Sequence, residues 1–71
     1  MEFDYSKLKG RIVEKFGTVG HFCEAYGISE VIMSKKLNNK SNFTTDNVVN
    51  MSNLLGINID EIGMFFYAKK V

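Results

Sequence analysis

Proline is absent from the 71 residues, and cysteine and histidine occur once each. A single cysteine closes no internal disulfide, which points to a reducing compartment, the cytoplasm. With one histidine, most acid–base schemes lack a partner. No nucleophile, base and orienting group stand out as a set, so the chain reads as a non-enzyme. No glycine-rich phosphate loop is present. His21 and Cys23 are two apart on a helix and point in different directions, a poor metal pair, so neither metal nor cofactor is expected. No apolar run approaches the roughly 20 residues that span a bilayer. The first ten residues lack the basic and apolar regions of a secretory signal. Linkers, repeats and low-complexity tracts are lacking too. A strong charge of either sign is also missing: nine Lys and Arg against eight Asp and Glu leave a formal net charge of +1. Any nucleic-acid affinity must then come from a local basic cluster, because phosphate neutralisation supplies much of it.

What is present is helical patterning in a chain with 45% hydrophobic residues. At this length a single domain over residues 1–71 with a modest core is expected. Residues 17–40 are the most informative stretch. Thr18 is a good N-cap. Phe22 and Tyr26 fall four apart on one face, with Cys23 beside them as a small buried residue. Gly27 stands where a left-handed residue ends a helix. Ile28 tucks into the angle, Ser29 caps the next helix, and Glu30 suits its positive end. Met33 and Leu37 give that helix an inward stripe. Lys35 and Lys36 sit in its last turn, Asn38 and Asn39 end it, and Lys40 follows. Two short helices meeting at a tight turn are the layout of a helix-turn-helix, whose second helix enters the DNA major groove.

The flanks complete the pattern. Leu8, Ile12 and Phe16, with Val13 as a flank, predict a first helix over about residues 5–15. The two motif helices cover about residues 18–26 and 29–38. Thr44 or Thr45 caps a fourth helix with Asp46 in its first turn and Val48, Met51, Leu54 and Leu55 inward, ending at Gly56. Asn58 with Glu61 resembles a capping box for a fifth helix carrying Ile62, Phe65 and Phe66. Residues 67–71 extend that helix or run as a strand. The fold class is all-α, a compact five-helix bundle. Its expected core is Leu8, Ile12, Phe16, Phe22, Tyr26, Ile28, Met33, Leu37, Val48, Leu55 and Ile62.

The run T-x-x-x-F-C-x-x-Y-G-I-S-x-x-x-M-S from Thr18 to Ser34 resembles the Cro/cI-type (XRE-like) repressors of temperate phages and bacteria, over nearly the whole chain. Ser34 to Lys40, Phe43–Thr44, and Asp60–Glu61–Ile62 with Phe65–Phe66 are also similar to a narrower group of short phage Cro-like and repressor-modulator proteins. The resemblance implies a lambda-repressor-like domain in the cytoplasm of a bacterial host. It implies that Ser29, Glu30, Val31, Ser34 and Lys35 read base edges, Lys35 by donating to guanine. It implies that Thr18, Asn38, Asn39, Lys40 and Asn42 meet the DNA backbone. Three positions depart from the family. Val19 replaces the usual glutamine after the threonine, Glu30 would repel phosphate, and Val31 and Ile32 cannot both face the core.

Two functions follow. The first is a regulator of a lysis/lysogeny-type switch that occupies operator DNA, as a homodimer through Phe65, Phe66, Tyr67 and Val71. The second is a modulator or antirepressor that binds a partner phage repressor through Glu30, Val31 and Ile32 and blocks its DNA-reading face.

Overall fold

The computed structural model describes residues 2–70. Five α-helices lie among them: α1 (Ser6–Phe16), α2 (Val19–Tyr26), α3 (Glu30–Leu37), α4 (Thr45–Leu55) and α5 (Ile62–Phe66), the last entered through a 3-10 turn at Ile59–Glu61. The class is all-α, as the patterning predicts.

Local chemistry sets the boundaries. The α1 start has no capping side chain at Tyr5. Instead Asp4 Oδ1 accepts from the Ser6 amide at 2.9 Å and the Ser6 hydroxyl at 2.7 Å. Those bonds hold the Asp4 carboxyl below its usual range. Thr18 accepts from the His21 amide and Ser29 from the Ile32 amide. Thr44 and Asn47 satisfy one another's backbone amides at 3.1 and 3.0 Å, a full capping box. At the last helix, Glu61 accepts from the Asn58 amide at 3.2 Å, while its own amide bonds the Asn58 carbonyl. The α2 and α4 helices end at Gly27 and Gly56, both left-handed, with φ of 86° and 66°.

Leu8, Ile12, Phe22, Met33, Met51 and Leu55 are wholly buried, with Phe66 almost so. Phe16, Tyr26, Ile28 and Ile62 pack against this core from partly buried positions. Tyr5, Ile57 and Phe43 join it without having been expected. Leu54, expected inside, and Val13 are exposed. Leu54 lies a third of a turn off the Val48, Met51, Leu55 stripe, and four α4 side chains already fill the available contact. Arg11 ties α1 to the end of α4. Its guanidinium donates to the Leu55 carbonyl at 2.9 Å and the Gly56 carbonyl at 3.2 Å, and lies 4.9 Å from the centre of the Phe65 ring. A cation there satisfies carbonyls that the helix end leaves open.

The tail is neither a helix extension nor a full strand. Lys69 forms one antiparallel bridge with Phe3. The Asp4 amide donates to Ala68 O and the Lys70 amide to Glu2 O. The Lys70 ammonium meets the Glu2 carboxylate at 3.4 Å.

Candidate functional site on the third helix

The turn between α2 and α3 is three residues long, Gly27, Ile28 and Ser29, and the two helices meet there. Ile28 folds its amide back onto the Cys23 carbonyl at 3.0 Å and packs its side chain on the core. Cys23 is buried between the helices, and burial, with the nearby Glu30 charge, pushes its thiol pKa up. A protonated, inaccessible thiol is a packing group and not a reactive one.

Helix α3 buries Met33, Lys36 and Leu37. Positions three and four apart share a face, so Val31, Ser34, Lys35 and Asn38 lie on the opposite one. Val31 is 66% exposed and Ile32 48% exposed. The outward stripe of this helix therefore carries the β-branched Val31 with Ser34 and Lys35, and Ile32 is exposed on its flank. Glu30 is exposed but turned sideways. A Cβ built on Gly20 would stand 3.1 Å from its carboxylate. The carboxylate thus lies against the first turn of α2, which has no acid of its own. Negative charge is favoured at that end of a helix.

Of the residues expected to touch DNA, all but the half-buried Asn39 are exposed. Several also have work inside the molecule. The Ser29 hydroxyl caps α3. The Thr18 hydroxyl caps α2. The Asn38 amide donates to the Ser34 carbonyl at 2.9 Å and the Ser34 hydroxyl at 3.2 Å. The Asn39 side chain, expected to face the DNA backbone, is engaged within the molecule. Its amide accepts from the Phe3 N–H and donates to the Phe3 carbonyl, both at 2.9 Å. Lys36, counted by sequence among the basic cluster, is buried. Its ammonium donates to the Asn42 carbonyl at 2.7 Å and lies 5.9 Å from the centre of the Phe43 ring. The free cations near α3 are therefore reduced to Lys35 and Lys40 among those expected.

The dimer contacts are corrected in part. Phe65 and Phe66 are core residues and offer no surface. Tyr67 is half exposed and packs edge-on against Phe3. Val71 lies outside the described residues. Sequence reasoning missed Arg11, the Asn39 clamp and the inward turn of Lys36. No local signal marks them, because their partners lie far along the chain or depend on how the loop folds back. Among the described residues there is no group of three or more metal-ligating side chains, no pocket, and no helix long and apolar enough to cross a membrane.

Comparison with known proteins completes the description. Residues 1–69 match the model of a family described as Protein of unknown function (DUF739). The chain belongs to this family. No curated protein matches it. Among solved structures it is similar to the solution structure of the modulator of repression (MOR) of the temperate bacteriophage TP901-1 from Lactococcus lactis. The two share 39% sequence identity with a TM-score of 0.82, over 100% of this chain and 97% of the other. A short phage regulatory protein is therefore a full-length relative of this DUF739 chain.

Proposed function

We propose that this chain is a modulator of repression, a single small binding domain and not a catalyst, which captures a partner repressor in the bacterial cytoplasm and keeps it from its operator. The observation that carries the reading is the outward face of α3. Beside Ser34 and Lys35, groups a DNA-reading helix would present, this one exposes Val31 and Ile32. An exposed apolar pair flanked by one cation and one acid suits a protein surface, whose centre is desolvated and whose rim is polar. The full-length similarity to a phage modulator of repression supports the same conclusion. In mechanistic terms α3 would lie against the helix-turn-helix of the repressor as a decoy, its acid Glu30 opposite the basic surface that otherwise meets phosphate.

A second reading is kept because Lys35 and Lys40 remain exposed on and just beyond α3. They support a Cro-like role in which α3 enters the major groove. Charge-driven DNA binding falls steeply as salt rises, whereas an apolar protein interface responds weakly. The test is a titration of the purified chain against the repressor encoded beside it and against early promoter DNA, at low and moderate salt. Capture of the repressor that survives salt and is lost in Val31→Glu supports the modulator. Salt-sensitive promoter binding lost in Lys35→Ala would replace it with the Cro-like reading.

A further inference from the structure

We propose that Asn39 is the positioning residue that sets the orientation of α3, by acting as a one-residue strand against the amino-terminal segment. The inference rests on the reading of α3 as the partner-binding face and adds how that face is held. In the antiparallel bridge, the bonds run from Asp4 N to Ala68 O and from Lys70 N to Glu2 O. Phe3 and Lys69 are thus a non-hydrogen-bonded pair, and the N–H and C=O of Phe3 point away from the tail. Both meet the amide of Asn39 at 2.9 Å, donor to acceptor and acceptor to donor. A carboxamide reproduces the donor and acceptor of a peptide group, which no other side-chain type but glutamine does. The geometry needs a left-handed backbone at this position. Asn39 is the non-glycine residue with positive φ among the described residues, at 63°. Asparagine is among the few side chains that visit this region readily.

The consequence falls on α3. That helix has eight residues, about 12 Å of length. Its start is held by the Gly27 turn and its middle by Met33, and its last residue, Leu37, is buried in the core. Its end is held by the Lys36 ammonium on the loop and by Asn39 on the amino-terminal segment. Recognition needs side chains held to within about half an ångström and 10–20°. Losing the Asn39 clamp leaves the distal end to the packing of Leu37 and one flexible lysine.

Two variants of the full chain test this. Asn39→Gly keeps the left-handed backbone without strain and removes both bonds, so the protein still folds. Asn39→Asp keeps the acceptor and loses the donor. Amide hydrogen exchange is measured in both, with capture of the repressor encoded beside the chain measured in parallel. In Asn39→Gly the Phe3 amide loses protection, and the amides of α3 exchange roughly tenfold faster while those of α1 and α4 hold. Repressor affinity falls by about three- to thirtyfold at unchanged fold content, because a smaller fraction of molecules presents the competent face. Asn39→Asp falls between. Exchange that stays the same, or rises uniformly along the chain, overturns the proposal. Loosening of α3 with full affinity overturns it as a device for recognition. If the wild-type chain captures no repressor, the modulator reading fails separately, and the exchange pattern still decides whether Asn39 holds α3.

Discussion

Helices α3 and α4 are built alike and used differently. Each is short, opens on a capping hydroxyl and closes on a residue suited to a helix end. The α4 helix buries four side chains, carries a capping box, and has its last carbonyls held by Arg11. The Tyr26 hydroxyl also accepts from its Asn47 amide at 2.8 Å. The α3 helix buries three side chains, one of them a lysine, and turns Val31 and Ile32 to solvent. Val49 and Leu54 are exposed on α4 too, but they are split to either side of Asn50 and Asn53, whereas Val31 and Ile32 adjoin. The lesson is a division of labour. Of the two helices, α4 has the more burial and the fuller caps, and α3 leaves its apolar pair the more exposed.

The largest effect that separates the two regions is core truncation against face truncation. Phe66→Ala, at the end of α5 against Phe43, removes a nearly fully buried ring, and a cost of about 3–5 kcal/mol is expected. Val31→Ala changes stability by less than about 0.5 kcal/mol, because surface substitutions of this kind rarely do more. Urea denaturation of both variants measures the difference. Comparable losses would mean that Val31 is covered, and that α3 has no free face.

Next comes the turn that joins α2 to α3. Gly27 holds φ at 86° with nothing within 4 Å of where a Cβ would stand. Gly27→Val meets no clash, so its cost is conformational, about 1 kcal/mol or somewhat more, read as a lower thermal midpoint. A β-branched side chain accepted there without loss would show that the turn has another backbone shape. A similar loss, about 1 kcal/mol, is expected for Thr44→Ala, which removes half of the α4 capping box. If that variant is neutral, the stronger anchoring assigned to α4 is reduced to its buried face alone.

Gly10 gives the smallest effect, with the opposite sign. It lies exposed within α1, with nothing near a built Cβ. Gly10→Ala should stabilise the chain by up to about 1 kcal/mol, since alanine loses less backbone freedom in a helix. Thermal unfolding checks it. Destabilisation would imply a close approach at α1 that the isolated chain does not contain.

What was legible in the sequence follows from how local each signal is. Thr18, Ser29, Thr44, Gly27 and Gly56 mark helix ends through bonds to residues three or four away, and each stands where its chemistry suggests. The inward stripes of α1 and α4 repeat with helical spacing, so most of the core was legible as well. The exposed pair on α3 was half legible, because four apolar residues on eight positions cannot all face inward. The rest depends on distant partners. Asn39 meets Phe3, 36 positions away, and Arg11 meets Leu55, 44 positions away. Lys36 reads as a surface cation until Asn42 and Phe43 fold back over it. These pairings engage one residue of the expected DNA-contacting set, Asn39, and remove Lys36 from the basic cluster, which leaves the exposed apolar pair as the more prominent feature.

The central claim is that the outward stripe of α3 takes a protein and not DNA. The most direct measurement is a calorimetric titration of the neighbouring repressor with the wild-type chain and with Val31→Glu, at about 50 and 200 mM salt, a span over which phosphate-driven binding weakens steeply. The account predicts capture by the wild-type chain at both salts, and loss of capture in a Val31→Glu protein that unfolds at the same urea concentration as its parent. Undiminished capture by Val31→Glu, or no capture by the wild-type chain together with tight, salt-sensitive binding of promoter DNA, would contradict it.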